Sequence, residues 1–253
     1  MLYSRFAEVY DVLMAETPYE KWAAFIGREI IKLNPRRKRK GITVVDLACG
    51  TGGVTLPLSR MGFDMVGVDS SAEMLSHACA KAAKSWRQAL FLQQDIRRLD
   101  LYGTARAFTC ACDGLNYIIG EDALGGVFKR VSLFTEPGGL FVFDVNTLYK
   151  FEKINAGNTF ADTVGGVSYK WKNNYDPKTR LNEYEVEFAV CAGDGTWDRF
   201  YETHYQMAYA SETIKTLLME AGYGTIIERD SYSDNPPGNA CERITFVAVK
   251  NNA

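Results

Sequence analysis

A glycine-containing turn near residue 50 is the first segment of the chain whose residue types could bind a ligand. The apolar run 43–48 contains the acid Asp46, and the turn follows this run directly. The candidate binding residues of the turn are Cys49, Gly50, Thr51 and Gly52. Glycines at a strand-to-helix turn let backbone amides approach a ligand where a Cβ would block it. We therefore expect backbone contact with a ligand and Asp46 beneath the turn; the alternative is a tight turn that needs glycine for its geometry alone.

Acidic residues also follow the next two apolar runs. Asp69 comes after the run 65–68, and Asp95 and Ile96 come after the run 89–92. A doubly wound sheet places an acid at the end of its second strand, where the carboxylate binds a ribose diol. Because the parallel strands of such a sheet end at the same edge, the three strand ends together predict a pocket shaped for a nucleoside.

Taken as a set, these motifs resemble those of the class I S-adenosylmethionine (SAM)-dependent methyltransferases. The matching residues are Asp46-x-Ala48-x-Gly50-x-Gly52, then Asp69, then Asp95-Ile96. Ala48 stands where the family usually has glycine, and a ligand without phosphate tolerates a small Cβ there. The resemblance covers nearly the whole chain apart from residues 147–207. It implies a Rossmann-like fold, SAM as the cofactor and methyl transfer as the activity.

A nicotinamide dinucleotide site is the rival interpretation, because it shares the strand–glycine–helix turn and the acid after the second strand. That site requires Gly-x-Gly-x-x-Gly, whose third glycine lets the helix pack closely against the strand. This chain has Thr55 at the third position. Asp95 would also have no role in binding a pyrophosphate. The residues thus favour a methyltransferase over an NAD(P)-dependent oxidoreductase, and a SAM-binding protein without turnover is a further alternative.

The resemblance also implies which residues outside the turn bind SAM. These candidates are Tyr19, Asp69, Ser70, Met74, Asp95, Ile96 and Asp113. Asp69 would accept both ribose hydroxyls, and Asp95 with the Ile96 amide would bind the adenine, with Met74 along its face. The alternatives are a helix-capping anion for Asp69, a core methionine for Met74 and a solvated loop acid for Asp95.

Three residues are candidates for the transfer step: Tyr10, Tyr117 and His204. Tyr117 belongs to the segment after the fourth strand, where the family places residues between the sulfonium and the acceptor. Tyr10, like Tyr3 and Tyr19, comes from N-terminal helices that close over the cofactor in this family, so one such hydroxyl could lie near the sulfonium or the SAM carboxylate. His204 could accept a proton from an acceptor amine or hydroxyl. The alternatives are aromatic packing for the tyrosines and a hydrogen-bonded sheet histidine.

The segment after the fourth strand also bears on the class of acceptor. Nucleic-acid amino methyltransferases carry Asn/Asp-Pro-Pro-aromatic there, which stacks the flipped base. This chain has Cys112-Asp113-Gly114-Leu115-Asn116-Tyr117 instead, and its Asn235-Pro236-Pro237 lies far along the chain, where we interpret it as a hairpin loop. We therefore expect a small-molecule acceptor. The basic run 36–40 is interpreted as a solvated linker, with RNA contact as the minority alternative.

The composition is ordinary for a globular protein of 253 residues, with 47% hydrophobic and 24% charged side chains. A formal net charge of -2 gives no general attraction to nucleic acids or acidic membranes. No apolar run approaches the length of a membrane span, and the start lacks the apolar core of a signal peptide. Six scattered cysteines indicate reduced thiols. We expect a cytoplasmic monomer or homodimer; Cys110-x-Cys112, in a chain with two histidines, does not fit a zinc site, and no metal is expected.

Alternating strands and helices must position the candidate residues. Helical spacing predicts a short amphipathic helix at 6–14, and a capping box at 17–20 begins a second helix that ends near Leu33. Strands are then predicted at 43–48, 64–69, 89–94, 107–112, 140–145, 223–229 and 243–250. Helices are predicted at 53–61, from a cap at Ser70, at 122–135 and at 211–221. This order predicts an α/β fold, a Rossmann-like seven-stranded doubly wound sheet, whose last two strands form an antiparallel hairpin by the resemblance.

Between Asn146 and Ala208 the pattern changes to the alternation typical of half-buried antiparallel strands. Apolar and polar side chains alternate along 184–190 and 197–205, with Gly193-Asp194-Gly195 predicted as the hairpin turn between them. Tyr169 and Trp171 mark an earlier strand. The pattern predicts an antiparallel β lobe inserted after the fifth parallel strand, so that it hangs over the strand ends where ligands bind.

We therefore divide the chain into a discontinuous SAM-binding domain, residues 1–146 and 208–253, and an inserted lobe, residues 147–207. The lobe resembles the substrate-covering lobe of small-molecule N-methyltransferases, among them sugar amine dimethyltransferases and glycine N-methyltransferase. That resemblance implies nitrogen ahead of oxygen as the methylated atom, and a lid formed by the lobe and the N-terminal helix.

Overall fold

The alternation in the sequence folds into two β-sheets, in a computed structural model that describes residues 5–35, 38–192 and 195–252. The strands are β1 (Thr43–Leu47), β2 (Asp64–Asp69), β3 (Leu90–Gln93), β4 (Ala105–Cys110), β5 (Thr135–Asn146), β6 (Thr159–Val164), β7 (Val167–Asp176), β8 (Leu181–Cys191), β9 (Trp197–Met207), β10 (Tyr223–Asp230) and β11 (Arg243–Lys250). The helices are α1 (Phe6–Leu13), α2 (Tyr19–Leu33), α3 (Thr55–Met61), α4 (Ala72–Ala83), α5 (Glu121–Phe134) and α6 (Ser211–Glu220). Shorter helical turns lie at Ile96–Arg98, Gly114–Tyr117 and, in π-helical form, Lys150–Asn155.

Seven strands form the larger sheet, in the order β10-β11-β5-β4-β1-β2-β3. Neighbouring strands pair in parallel except at β11, which is antiparallel to both β5 and β10. The central strands β1 and β4 are almost wholly buried, because helices cover both faces of a doubly wound sheet. The Rossmann-like sheet and its C-terminal antiparallel hairpin, predicted from the sequence, are confirmed.

Helices pack on both faces of this sheet. On one face, α5 and α6 bury apolar side chains such as Phe128 and Leu218 against β4 and β5. On the other, α2 and α3 bury Ile26 and Leu58 against β1 and its neighbours. Because β4, β1, β2 and β3 pair in parallel between these two layers, the strand tips that carry the candidate residues share one edge.

Four antiparallel strands form the second sheet, in the order β6-β7-β8-β9. One face buries Phe188 and Phe200 together with Val9 of α1 and Phe151 of the π-helical turn. The inserted antiparallel lobe is therefore confirmed, and its predicted strands lie within β7, β8 and β9. The division of the chain at 147–207 stays a prediction. Part of the predicted hairpin turn, residues 193–194, lies outside the described residues, as do residues 36–37 of the basic run.

Strand β6 and the π-helical turn were not predicted from the sequence. The residues of β6 are almost all exposed, so no alternation of apolar and polar side chains marks the strand. The π-helical turn brings Phe151 and Asn155 into the interior of the lobe. The lobe is thus built partly from segments whose sequence carries no periodic signal.

Several predicted helix and strand ends are wrong. Ser71, rather than Ser70, caps α4, because its Oγ accepts from the Met74 amide at 3.1 Å. The capping box at 17–20 does not form: Pro18 is the N-cap residue and has no side-chain acceptor, while the Thr17 hydroxyl points to Met14. Strand β5 begins at Thr135 rather than 140, and the register with β4 shifts between Ala105 and Ala107 to accommodate it.

The described residues contain no helix that is both long and apolar enough to span a membrane. The longest is α2, of 15 residues, which carries charged residues along its exposed side.

Candidate active site

A cavity of about 960 Å³ is lined both by the strand tips of the large sheet and by the lobe. The sheet contributes residues that follow β1, β2, β3 and β4, and α1 contributes Phe6, Tyr10 and Leu13. The lobe contributes an aromatic wall made of Tyr169, Trp171, Tyr184 and Phe188. The cavity therefore has one side built from the predicted nucleoside pocket and another built from the inserted sheet.

The glycine turn contributes Gly50 to the cavity wall. Gly50 and Gly52 have φ angles of +53° and +82°, in the left-handed region that favours glycine. The other turn residues point elsewhere. Thr51 is buried, with its hydroxyl donating to Oδ1 of Asp11 on α1 at 2.6 Å. The Cys49 thiol packs beside Gly67, where an added Cβ would lie 2.9 Å from its sulfur.

Asp69 lines the cavity at the tip of β2. Its Oδ2 accepts from the Gly50 amide at 2.8 Å and its Oδ1 accepts from the Ser71 amide at 2.9 Å. Burial raises the pKa of the Asp69 carboxyl, and these amides oppose the rise. The two amides hold the carboxylate at the cavity edge, with lone pairs left over for further donors. Ser70 and Met74 line the cavity beside it.

Asp95 and Ile96 line the same part of the cavity, after β3. The Asp95 carboxylate accepts from the amide and the guanidinium of Arg97, with Nη2 of Arg97 2.6 Å from Oδ2. The side-chain hydrogen bond from Arg97 holds the pKa of Asp95 below its usual value. Asp95 is therefore charged at neutral pH and is already oriented before any ligand binds.

Asp46 lies beneath the turn rather than in the cavity wall. It is 2% exposed and accepts a hydrogen bond from the Thr55 hydroxyl at the start of α3. Burial raises the pKa of this carboxyl to about 7. Asp46 therefore connects the end of β1 with the first turn of α3.

A polar cluster that sequence reasoning missed fixes the segment after β4. Cys112 and Asp113 both have positive φ angles, and their amides donate to the two oxygens of Asp144 at 2.7 and 3.0 Å. Arg243 donates to Oδ1 of Asp113 at 2.7 Å and also to Asp144. Tyr232 adds a further donor to Asp144. Asp144 and Arg243 lie on adjacent antiparallel strands but are far apart in sequence, so no local pattern could have identified the pair.

Gln206 joins this cluster to the lobe. Its Nε2 donates to Oδ2 of Asp113 at 2.6 Å, and its Oε1 accepts from the Tyr184 hydroxyl at 2.7 Å. Gln206 and Asp113 both line the cavity. The predicted cofactor residue Asp113 is therefore held between Arg243 on the sheet and Gln206 on the lobe.

All three catalytic candidates, Tyr10, Tyr117 and His204, line the cavity. The rings of Tyr117 and His204 pack edge to face, and their centroids are 6.1 Å apart. Nε2 of His204 lies 3.1 Å from Oε2 of Glu202, and both side chains are largely buried. The structure therefore brings Tyr117 and His204 together at the junction of the sheet and the lobe.

The hydroxyls of Tyr10 and Tyr19 lie 3.3 Å apart. Burial raises the pKa of Tyr10 well above its usual value, so its hydroxyl is a donor rather than a phenolate at neutral pH. Tyr19 does not line the cavity: its ring covers Gly53, where an added Cβ would lie 2.8 Å from Cζ. Tyr3, the third tyrosine considered, lies outside the described residues.

The residues of this site fit an adenosyl sulfonium. A Cβ added to Gly50 would meet no heavy atom within 4 Å, so the space in front of the turn is open. Asp69 lies at the edge of this space, where its carboxylate can accept from vicinal hydroxyls. When bound, SAM supplies a methyl group on a sulfonium, which leaves as a neutral thioether.

Comparison with known proteins agrees with this geometry. A family model described as "Methyltransferase domain" matches residues 44–139. "Putative methyltransferase YqeM" of Bacillus subtilis (strain 168) is 34% identical over 251 residues, which cover 99% of this chain and 98% of that protein. A crystal structure of an S-adenosylmethionine-dependent methyltransferase from Clostridium acetobutylicum ATCC 824 superposes with a TM-score of 0.88, at 33% identity and 99% coverage of both chains.

A more distant relative is the dTDP-3-amino-3,6-dideoxy-alpha-D-glucopyranose N,N-dimethyltransferase of Streptomyces fradiae. It is 24% identical over 220 residues, which cover 85% of this chain and 82% of that protein. The family model ends at residue 139, before the lobe, whereas the Bacillus subtilis protein and the Clostridium acetobutylicum structure each match 99% of the chain and so include the glycine turn, the strand tips and the lobe. The protein therefore belongs to the SAM-dependent methyltransferases.

Proposed function

We propose that this methyltransferase transfers the SAM methyl group to a small molecule, with nitrogen ahead of oxygen as the accepting atom. The observation that carries the proposal is the cavity of about 960 Å³, which combines the strand-tip edge with the aromatic wall of the lobe. Its volume is that of a ligand pocket of roughly 300–1,000 Å³. A cofactor and a small acceptor can share such a space, with the reacting atoms shielded from water.

The residues proposed to hold SAM belong to three strand tips. Asp69, with Ser70 beside it, accepts from the ribose hydroxyls, because its carboxylate is already oriented by two amides. The adenine lies near Met74, Asp95 and the Ile96 amide. The methionyl part lies along the turn residues Cys49, Gly50, Thr51 and Gly52, with Asp46, Tyr19 and Asp113 supporting that end of the site.

Methyl transfer requires alignment of the acceptor atom with the sulfonium more than it requires acid–base chemistry. Holding the reactants in line can contribute several kcal/mol by removing translational and rotational freedom, about 7 to 11 in favourable cases. An acceptor that binds as an ammonium must first lose a proton. His204 is proposed to accept that proton, since it lines the cavity and its Nε2 is 3.1 Å from Glu202, which would stabilise the imidazolium. Tyr10 and Tyr117 are proposed to orient the reacting groups through their hydroxyls.

Nitrogen is preferred to oxygen as the accepting atom because two of the matching relatives are named as N-methyltransferases. The Streptomyces fradiae relative is an N,N-dimethyltransferase, and a glycine/sarcosine N-methyltransferase also matches. Relatives named as ubiquinone biosynthesis O-methyltransferases match as well, so oxygen is the second candidate.

Transfer of a labelled methyl group tests the proposal. The purified protein is incubated with methyl-labelled SAM and a metabolite extract, and labelled products are identified by mass spectrometry. We expect a labelled small molecule, and the Asp69→Asn variant should label it more slowly when SAM is not saturating. A parallel reaction contains total RNA in place of the extract. Label that enters RNA and no metabolite would overturn the small-molecule proposal, and the fragmentation pattern of a labelled metabolite decides between nitrogen and oxygen.

A further inference from the structure

Two cavities in the described part of the chain share two lining residues, and both residues are cationic. A second cavity, of about 570 Å³, lies beside the main cavity, and Lys150 and Arg243 line both. Arg243 has ionic partners, since its guanidinium donates to Asp113 and Asp144. The charge of Arg243 is thus compensated within the protein, and the charge of Lys150 remains to be accounted for.

Lys150 is held in place by neutral groups. Its Nζ donates to Oδ1 of Asn146 at 3.1 Å, and its backbone amide donates to the Thr147 hydroxyl at 3.1 Å. An ion pair requires a carboxylate oxygen within 4.0 Å of the ammonium nitrogen. Among residues 5–35, 38–192 and 195–252, no carboxylate oxygen lies that close to Nζ of Lys150. The side chain is half-buried at the first position of the π-helical turn. An oriented ammonium therefore faces the cavities without a contacting counter-ion among the described residues.

Keeping this ammonium away from water has a cost. Burial lowers the pKa of Lys150, and the neighbouring Arg243 lowers it further, while Asp113 and Glu242, which are not in contact with it, oppose the shift only in part. An anion in contact with the ammonium would offset the lost hydration. The position of Lys150 therefore suits a ligand with a negative charge better than a neutral or cationic ligand.

The linings of the two cavities indicate from which side an anion would approach. The second cavity is lined by Asp230 and Glu242, which would repel an anion there, and by no aromatic side chain of the described part of the chain. Acids line the main cavity as well (Glu16, Asp69, Glu73, Asp95 and Asp113), but Asp69 and Asp95 follow the strands proposed to bind the cofactor, and Asp113 is already bonded to Arg243 and Gln206. The lobe side of the main cavity is aromatic. Trp171 in that wall has a buried indole Nε1 with no hydrogen-bond partner in the described residues. The main cavity thus combines an aromatic wall with an ammonium that has no contacting counter-ion among the described residues.

We propose that the methyl acceptor carries an anionic group, a carboxylate or a phosphate, that binds Nζ of Lys150 from the main cavity. This inference rests on the proposed small-molecule transfer and names the class of its substrate. An acceptor bound in this way has its anionic group near the segment after β4 and its apolar part against the aromatic wall of the lobe.

Binding of three simple probes tests the inference without knowledge of the acceptor. Benzoate, phenyl phosphate and benzamide are titrated by calorimetry into the protein saturated with S-adenosylhomocysteine. Benzamide matches benzoate in shape but has no charge, and the two anions distinguish a carboxylate from a phosphate. The variants are Lys150→Gln and Lys150→Arg, with Lys153→Gln as the control, because Lys153 is exposed on the same helical turn and lines neither cavity.

We expect at least one anion to bind more tightly than benzamide, and Lys150→Gln to weaken that anion by about tenfold or more. Lys150→Arg should retain most of the affinity, Lys153→Gln should retain all of it, and benzamide should respond to neither. Equal binding of benzamide and both anions, or anion affinity within about twofold of wild type in Lys150→Gln, would overturn the inference.

Two further measurements distinguish these outcomes from misfolding of the variant and from loss of the cofactor site. Thermal unfolding shows whether Lys150→Gln is folded, and Lys150→Met serves in its place if it is not. Affinity for S-adenosylhomocysteine shows whether the cofactor site is intact. A protein that binds this compound normally but shows no preference for anions contradicts the inference alone. A protein that does not bind it contradicts the proposed SAM site.

Discussion

Asp46 and Asp69 lie on neighbouring strands, but their carboxylates have different surroundings. Asp69 at the tip of β2 faces the cavity; burial raises its pKa, but it accepts from two backbone amides, which favour its charged form. Asp46 lies in the interior of the sheet and accepts from the Thr55 hydroxyl, and burial raises its pKa to about 7. The same residue type is thus suited to ligand binding in one place and to joining a strand to a helix in the other.

Replacing Asp69 with asparagine should weaken cofactor binding. The amide keeps the shape but loses one acceptor and the charge, and hydrogen bonds to a charged acceptor are the stronger ones. We expect affinity for S-adenosylhomocysteine to fall by about ten- to a hundredfold in calorimetry. Asp64→Asn, at the opposite end of β2 where the side chain accepts from the Gly41 amide, is the matched control and should bind normally. Unchanged affinity in Asp69→Asn would remove Asp69 from the site.

Replacing Asp46 with asparagine should flatten the pH dependence of stability. Its folded-state pKa of about 7 lies above the unfolded value of 3.8, so the unfolded chain loses this proton first as the pH rises. The stabilisation that this raised pKa gives to the folded state is complete below pH 3.8 and is lost as the pH rises to about 7. We expect the wild type to lose about 2 to 3 kcal/mol more free energy of unfolding than Asp46→Asn between about pH 5 and about pH 8.

Urea unfolding across this pH range measures that difference. The exposed Asp122→Asn replacement on α5 is the control and should follow the wild type at every pH. If Asp46→Asn showed the wild-type slope as well, Asp46 would be ionised throughout and its burial would have to be compensated by other groups.

Helix α1 is attached to the glycine turn through one acid. Asp11 accepts from the Thr51 hydroxyl at 2.6 Å and from Nζ of Lys81 on α4 at 2.6 Å. The opposite side of α1 packs on the lobe, where the Phe6 and Phe188 ring centroids are 5.2 Å apart. An element of 8 residues cannot be stable alone, so these contacts hold it over the cavity.

Removing this attachment should loosen α1. We expect Asp11→Ala to speed backbone hydrogen exchange of residues 6–13 by about tenfold, because the Thr51 hydroxyl and Lys81 lose their partner. Mass spectrometry of peptides from this helix measures the rate. Glu8→Ala, an exposed acid on the same helix, is the control. Equal protection of α1 in Asp11→Ala and the wild type would show that its contacts with the lobe are sufficient.

The two sheets of the molecule are joined by a polar network as well as by apolar packing. Gln206 on β9 is 3% exposed and connects Asp113 with Tyr184. Asn116 extends the network, since its Nδ2 donates to the Met207 carbonyl at 2.8 Å and its Oδ1 accepts from the Asn146 amide at 2.9 Å. The lobe therefore has a fixed position over the strand tips.

Disrupting this network should destabilise the protein. Gln206→Met keeps the length of the side chain but leaves Asp113 and the Tyr184 hydroxyl short of a partner in the interior. We expect a loss of about 1 to 3 kcal/mol in the free energy of unfolding, measured by urea denaturation. Gln88→Met, an exposed site with no side-chain role in the described residues, is the control. A wild-type midpoint in Gln206→Met would indicate that water replaces the lost partners.

The sequence alone determined the large sheet and the family. The turn around Gly50, the acid Asp69 after the second strand and the alternation of apolar runs with helices are local patterns, because each depends on backbone conformation and burial within a few residues. The inserted sheet was also visible, since β8 alternates buried apolar side chains with more exposed polar ones. On β9 the alternation exists, but the structure exposes its aromatic side chains Trp197, Tyr201 and Tyr205 and buries the mostly polar side that carries His204 and Gln206. The exposed strand β6 was not visible, because a strand without a buried face has no such pattern.

Only the tertiary structure decided how the site is supported and which cations line it. Arg243 pairs with Asp113 across 130 positions, and Lys150, the first residue of an unpredicted π-helical turn, lines the cavity. Such contacts join residues from different elements, so they depend on how the sheets pack together. The sequence specifies which side chains are available at the strand tips; the packing of the lobe on the sheet specifies which of them meet.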